Sequence, residues 1–336
     1  MRFAPTAEQQ DLRIAVRELM RDRCPSSVVR AEPDDPAING LAEEICRMGA
    51  LGLLVAERDG GLGLDENYLV PLMVETGWAA APLPLVDSIA FAPGLLSHAG
   101  YSDGPDYRKR WCVADPAKRA ETRFGQPAGL LLRGGFGGTG AVQLVDLDTA
   151  VRSHLAAMDP SADVHDVRGG QELAIVDDPV LVRQAWQRGV LAAAAQLIGL
   201  ARHMLEMTVD YVAGRTQFGV PVGSFQAVKH RLATALLAVE FAAPVVDRAG
   251  HSMASANPGA DRDVSSAKAL ASEAARAVGR EAIQCHGAMG YTTEYDLQLY
   301  LKRAWALAAD WGSASWHRAR LAGHLGMSLT GSTPAG

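Results

Sequence analysis

Residues 181–214 read LVRQAWQRGVLAAAAQLIGLARHMLEMTVDYVAG, and within them Val182, Trp186, Val190, Ala193, Leu197, Leu200, Met204, Met207 and Tyr211 recur at steps of four and three. That spacing draws one apolar stripe along a helix of about eight turns. Downstream, Phe225, Val228, Leu232, Leu236 and Val239 predict a second such helix, ended or kinked near Pro244, whose ring removes a backbone donor. Val264, Ala267, Ala271, Ala274 and Val278 predict a third helix, and residues 297–319 a fourth. Long helices with short connections pack as antiparallel neighbours, so a four-helix bundle is expected. The run VLAAAAQLIGLA at 190–201 is apolar over more than one stripe. A second face buried against another subunit gives that texture, and so does a central helix inside a monomer.

Upstream, Thr6-Ala7-Glu8-Gln9 has the form of a capping box, followed by Leu12, Ala15 and Leu19 on one helical face. A second helical run, Leu41 to Met48, closes at Gly49, and ERDGGLGLDEN (57–67) is a polar, glycine-rich loop ahead of another helical stretch from Tyr68 to Thr76. Between residues 111 and 180 the texture changes to short β-like runs: WCVAD, GLLLR, AVQLVDL and ELAIV. Gly135-Phe136-Gly137-Gly138-Thr139-Gly140 matches G-x-G-x-x-G, but a dinucleotide fingerprint opens a helix, whereas here a strand-like run follows; a hairpin turn is expected. The chain thus divides into an N-terminal helical domain (1–108), a shortened middle β domain (109–180) and a C-terminal helical bundle (181–336).

Composition supports a mainly α chain with a small β unit. At 336 residues the chain exceeds one core of usual size, and 48% hydrophobic with 6% aromatic residues favours helix on helix over a sandwich. The charge balance is −6 with no Lys/Arg cluster, which argues against nucleic acid as a partner. Cys24, Cys46, Cys112 and Cys285 form no C-x-x-C pair, so neither a metal site nor a redox dithiol is expected. MRFAPTAEQQDLR lacks the apolar centre of a signal peptide, and the 190–201 stretch, interrupted by Gln196, reads as too short for a bilayer. A cytoplasmic location without membrane attachment is the expectation.

Two strings in the bundle carry chemistry. Arg215-Thr216-Gln217-Phe218-Gly219-Val220-Pro221 leads to Ser224-Phe225-Gln226-Ala227-Val228-Lys229-His230, and Gln284-Cys285-His286-Gly287-Ala288-Met289-Gly290-Tyr291-Thr292-Thr293-Glu294 follows later. An Arg at a helix end and a Gln on the next helix offer donors suited to a pyrophosphate, and Gly287 and Gly290 allow backbone to approach a ligand. Taken singly, each has a plainer reading. Arg215 is a helix-end charge, Gln284 a surface polar residue, His286 either a packed histidine or a ligand contact, and Phe218 and Phe225 core anchors.

Together these strings resemble the acyl-CoA dehydrogenase family, whose C-terminal bundle carries R-x-x-F-G, a Gln eleven residues after that Arg, and Q-x-x-G-G-x-G-Y. Gln226 stands eleven residues after Arg215, and Gln284, Gly287, Ala288 and Gly290 keep the second spacing. MGALGLLVAERDGGLGLD (48–65) looks like that family's loop after its second or third helix. The resemblance spans nearly the whole chain and is weakest from 110 to 180. It implies FAD as cofactor, with Arg215, Gln217, Phe218, Gln226, Gln284, Gly287 and Ala288 contacting the ADP half of a FAD held by a neighbouring subunit.

The family's reaction removes the α-proton of an acyl-CoA thioester with a Glu while hydride leaves the β-carbon for the flavin. Counted from Arg303 in LKRAWALAADWGSAS, one family position for that Glu falls on Gly312; the other, a helix before Arg215, falls on Gly189. Neither holds a carboxylate, so no catalytic residue is assigned. On a continuous helix Asp310 would point about 200° away from position 312. The family's T-E-P-x-A-G-S-D-like flavin stretch survives only in outline as Trp111–Arg119.

This pattern resembles the non-catalytic subunits of heteromeric α2β2 acyl-CoA dehydrogenases of bacterial steroid side-chain degradation. The resemblance implies a homologous partner that supplies the Glu, an acyl-CoA substrate and a lone chain without activity. Two other readings stand beside it: a homo-oligomeric dehydrogenase using Asp310 or Glu294, and a flavin-free structural subunit.

Overall fold

The computed structural model describes residues 5–100, 110–114, 121–124 and 128–327. Five helices come first: α1 (Ala7–Arg23), α2 (Ser26–Val29), α3 (Pro36–Arg47), α4 (Glu66–Trp78) and, after a π-helical turn at Val86–Phe91, α5 (Ala92–His98). Strands β1 (Arg110–Ala114), β2 (Glu121–Thr122), β3 (Ala128–Gly134), β4 (Val142–His154) and β5 (His165–Val176) follow. Then come α6 (Pro179–Gly214), a small hairpin of β6 (Thr216–Gln217) and β7 (Val220–Pro221), α7 (Gln226–Ala254), α8 (Ala260–His286), α9 (Leu297–Ala309) and α10 (Ala314–His324).

Local chemistry explains the starts. Thr6 and Gln9 exchange both capping-box bonds at α1, Asp35 caps α3, Asp65 caps α4, and Asp178 accepts from two amides at the head of α6. The five strands close into a barrel in the order β1-β2-β5-β4-β3, antiparallel except for the β1–β3 pair. Gly135–Gly140 turns the chain between antiparallel β3 and β4 with positive φ at Gly135, Gly137, Gly138 and Gly140, as a hairpin loop requires.

One helix expectation is narrowed and another needs correction. α7 runs through Pro244 to Ala254, its buried Ala242, Ala243, Val246 and Ala249 holding it against neighbouring helices across the proline. The stretch 297–319 is two helices, because Trp311 and Gly312 take φ of 57° and 88° and Ser313 then caps α10 by accepting from the Trp316 amide. Asp310 therefore sits in a connection, and its direction does not follow from helical geometry.

The N-terminal helices and the bundle share one apolar core. A second cluster seats the barrel on them through Phe91, Leu95, Leu132, Val142, Val182 and Ala185, and a third, with Cys112, Leu131 and Val167, fills the barrel itself. The expected division at 108/109 falls among residues 101–109, and much of the eroded flavin stretch, 115–119, likewise lies outside the described residues.

At the centre, α4 crosses α6 at two facing glycines: a Cβ on Gly199 would stand 1.9 Å from the Val74 carbonyl oxygen, and one on Gly77 2.2 Å from that of Gln196. Gln196, rather than interrupting α6, donates to Thr76 Oγ1 at 3.1 Å inside this crossing, and Arg188 pairs with buried Glu66. By length and composition α6 could cross a bilayer, contrary to the shorter reading from sequence; 72% of its most apolar stretch is buried within the fold, which accounts for its apolarity by packing.

Candidate functional site

At one end of the bundle, α6 stops at Gly214 and the chain turns out through the β6–β7 hairpin, paired Thr216 to Pro221 and Gln217 to Val220. Its tip is Phe218-Gly219 with φ of 52° and 80°, the left-handed pair of a tight hairpin turn. A β-carbon resists that region, so Phe218 is displayed at a conformational cost. Its ring is 93% exposed and that of Phe225, 6.3 Å away between centroids, is 39% exposed. Neither is a core anchor, contrary to the reading of each residue alone. The hairpin lifts the Phe218 ring off the bundle beside Phe225 at the head of α7, where a partner surface or ligand can cover both.

The second motif closes α8. His286 is the packed alternative: it is buried, its Nδ1 donates to the Ala282 carbonyl at 2.8 Å, and Tyr211 stacks on it with centroids 4.3 Å apart. Burial lowers its pKa, which keeps the ring neutral. Gly287 then takes φ 58°, ψ −133°, a combination open in practice only to glycine, and nothing lies within 4 Å of where its Cβ would be. Gly290 differs. Its Cβ would stand 3.0 Å from the Ile283 carbonyl oxygen, so its bareness serves the turn rather than a ligand.

Tyr211 Oη donates to the His286 carbonyl, and Arg231 pairs with Glu281 at 2.9 Å, which brings the end of α6, the start of α7 and the end of α8 together. Arg215, Gln217, Phe218, Gln226, Gln284, Gly287 and Ala288 are all exposed at this end. The arrangement offers a guanidinium, three amide side chains, two aromatic rings and a bare glycine backbone. Those groups fit the phosphates and adenosine of a nucleotide.

The other two predicted positions, Gly189 and Gly312, are filled space. A Cβ on Gly189 would lie 2.3 Å from the Trp311 ring, and one on Gly312 2.8 Å from both His317 Nε2 and the Trp316 ring. Trp311 packs against Trp186 (centroids 5.2 Å apart) and Phe91 (5.3 Å), while Phe136 touches Trp186 and Trp316. The connection is pinned from below. Lys268, fully buried, donates to the carbonyls of Ala308 and Gly312 and to Ser272 Oγ, and His317 Nε2 donates to the Trp311 carbonyl at 2.8 Å. Burial pushes His317 down to about 4, so it stays neutral in this role.

What remains beside the plug is a cavity of about 110 Å³. Small-molecule sites usually hold ~300–1,000 Å³, so a three-ring flavin with an acyl chain does not fit. Its walls include Asp87, which burial pushes up to about 8 and which accepts from the Val113 amide at 3.0 Å. Asp310 is also there, engaged by Arg123. Glu294 lies on the segment after the Gly287–Tyr291 turn and is not among the residues lining this cavity. Sequence reasoning missed the plug because Phe91, Phe136 and Trp186 come from three segments remote from the stretch that carries Trp311 and Trp316. Lys268 was visible as a lone charge beside the apolar positions Val264, Ala267 and Ala271.

A second concavity, about 1000 Å³, is lined by α7, α8 and α9 and, from the barrel side, by Arg123, Ala157 and Met158; alanines such as Ala242 and Ala274 alternate there with the charged Glu273, Arg276 and Arg280. Phe241 on its border is 74% exposed, and Leu236, Leu237 and Leu270 are exposed nearby. Exposed large apolar side chains gathered in this way are what a subunit contact covers.

Residues 6–109 match the family profile for the acyl-CoA dehydrogenase N-terminal domain, and residues 181–326 match that for the C-terminal domain; the barrel lies between them. The chain is 32% identical over 309 residues to the acyl-CoA dehydrogenase IpdE2 of Mycolicibacterium smegmatis, covering 88% of this chain and 92% of that protein. Its fold matches the Tcur3481–Tcur3483 steroid ACAD G363A variant (TM-score 0.82, 23% identity, 95% of this chain and 98% of that one). It also matches the ChsE4–ChsE5 complex from Mycobacterium tuberculosis (TM-score 0.81, 23% identity, the full length of both chains).

Proposed function

The chain belongs to the acyl-CoA dehydrogenase family, and from that premise we propose that it is the nucleotide-gripping, non-catalytic subunit of a heteromeric, cytoplasmic α2β2 enzyme that desaturates an acyl-CoA. The observation that carries this reading is the aromatic plug: both places where the family sets its base are glycines, and the space in front of them is occupied by Trp311, Trp316 and His317. The nucleotide end, by contrast, is open and polar.

In this reading Arg215 and Gln226 hold the pyrophosphate of a FAD seated mainly in a homologous partner. Gln217, Gln284 and the backbone at Gly287 and Ala288 complete the hold, and Phe218 covers it from the hairpin. The bound cofactor supplies a hydride acceptor for the β-carbon of the thioester, and the partner supplies the carboxylate that takes the α-proton. The exposed surface around Phe241 is where the partner's helices pack. A steroid side-chain thioester is the substrate class we assign, supported by the sequence resemblance and by the fold shared with the steroid ACAD.

The test compares the lone chain with the chain co-expressed beside a longer relative that carries the Glu. The lone chain should be colourless and inactive toward acyl-CoA with an acceptor dye, and should remain so as Gly312→Glu, while the complex should be yellow. Arg215→Ala should weaken FAD retention in the complex by roughly 10- to 100-fold, the effect of losing a hydrogen bond to a charged group. Stoichiometric flavin and turnover in the lone chain would instead establish the homo-oligomeric reading. Unchanged FAD in the Arg215→Ala complex would remove Arg215 from the site.

The strained display of Phe218 gives a second test. Asn followed by glycine suits the left-handed pair of a hairpin turn, so Phe218→Asn should stabilise the hairpin of the lone chain by ~1 kcal/mol, read as slower amide exchange at residues 216–221. The same substitution should lower FAD retention in the complex. A hairpin that exchanges faster as Asn would mean that the phenyl ring, not the backbone, holds the turn together.

A further inference from the structure

We propose that Arg30 is a positioning residue for the nucleotide-gripping turn, an inference that rests on the ADP-binding reading above. Arg30 closes the short helix α2 in the N-terminal part of the chain, more than 260 residues away in sequence from the segment it holds. Its guanidinium spends four hydrogen bonds on that one segment. Nη1 donates to the Thr293 carbonyl at 2.8 Å, Nη2 to the Glu294 carbonyl at 3.2 Å, and Nε and Nη2 both to Asp296 Oδ1 at 3.0 and 2.6 Å.

The segment runs directly from the Gly287–Tyr291 turn to the head of α9. The turn needs holding. Met289 and Tyr291 on it are exposed, Gly287 has open space on its Cβ side, and Asp296 at the head of α9 makes no side-chain cap to its own helix. On one side the turn is anchored by packed His286, and on the other Thr292 only folds back onto the Met289 carbonyl through its amide and Oγ1. Beyond Thr292 the segment has two tethers: Arg30 holds residues 293, 294 and 296, and Tyr295 packs on Tyr211 and His286 with ring centroids 5.8 and 4.9 Å away.

A single surface ion pair would do little here, but a planar guanidinium that engages two backbone carbonyls and a carboxylate together fixes both the path and the orientation of the strand. Lysine cannot reproduce that fork. The orientation of the Gly287–Ala288 backbone toward a nucleotide is thereby set by a residue that never touches it.

The experiment uses the full chain co-purified with its flavin-binding partner. FAD release after dilution is followed by flavin fluorescence, and amide exchange is measured on the same samples. Arg30→Ala should speed release about 10-fold and raise exchange at 287–296 while leaving it unchanged in α6 and α7; Arg30→Lys should fall between Ala and the native protein. Asp296→Ala, which removes the carboxylate from the other side, should have a similar effect, and the double variant should add little to either.

If Arg30→Ala leaves release unchanged while Arg215→Ala accelerates it, the positioning role is refuted and the ADP reading stands. If neither substitution changes release, both fall. An additive double variant would also overturn the proposal, since two groups acting through one clamp lose it only once.

Discussion

Gly199→Ala is expected to destabilise the chain by ~3 kcal/mol or more, the upper end of what overpacking costs, which for 336 residues corresponds to a fall of roughly 4 °C in the melting temperature. The new methyl would stand 1.9 Å from the Val74 carbonyl oxygen and 2.5 Å from the Trp78 amide nitrogen. Both are backbone atoms of α4, so no rotamer change relieves the clash, and the helices must move apart. Separation would break the Gln196–Thr76 hydrogen bond and strain the Arg188–Glu66 pair in the same crossing. Gly40→Ala is the control. Gly40 lies within α3 with nothing within 4 Å of its Cβ position, and there alanine should add ~0.5–1 kcal/mol through helix propensity. A melting temperature for Gly199→Ala within a degree or two of the native value would mean that α4 and α6 do not cross this closely.

Arg303→Met should cost ~3–5 kcal/mol, because it strands a buried carboxylate. Arg303 joins the barrel side to the helices: it pairs with Asp159, donates to Ser161 Oγ at 2.9 Å and donates to the Ala81 carbonyl at 2.9 Å. Burial by itself would raise the Asp159 pKa, but the Arg303 charge, Ser161 and Arg123 outweigh it and hold the carboxyl below its ordinary value. A carboxylate depressed on folding contributes its stability fully above its unfolded pKa of ~3.9 and loses it as pH falls through the folded value. The native chain should therefore weaken below about pH 4. In Arg303→Met the burial effect is no longer offset by its main opponent. Asp159 then resists ionisation, and the variant should gain stability relative to the native chain as pH falls from 6 toward 4. Denaturation midpoints measured across that range settle the matter: parallel curves for the two proteins would show that the pair is not coupled to folding.

The readable parts of the chain were those whose signal is local or periodic. The stripe from Val182 to Tyr211 became α6, the Thr6 to Gln9 capping box formed, and the two motif strings arrived at one end of the bundle through the Tyr211–His286 and Arg231–Glu281 contacts. The break at Trp311 and Gly312 was hidden because apolar residues continue on both sides and the positive φ values leave no mark on hydrophobic spacing. Phe218 and Phe225 misled for a related reason. Aromatic rings belong in cores on average, and only the β6–β7 turn for Phe218 and the head of α7 for Phe225 show them facing outward. That neither position counted for the family's carboxylate holds one was legible as Gly189 and Gly312. The packing in front of them was not legible, since Phe91, Phe136 and Trp186 reach Trp311 and Trp316 from other segments and meet them only in three dimensions.

An open, solvent-ready cleft lined with restless charges is a standing weakness in most enzymes, because stability is forgone to keep reactive groups apart and accessible. Here the space around Gly189 and Gly312 is interior. With Trp186, Trp311, Trp316 and Phe136 packed ring on ring above a lysine that ties down loose carbonyls, the region answers to the rules of a core. On the proposed reading, the chain is thereby freed from the usual compromise between turnover and rigidity, and serves its assembly as a stiff frame.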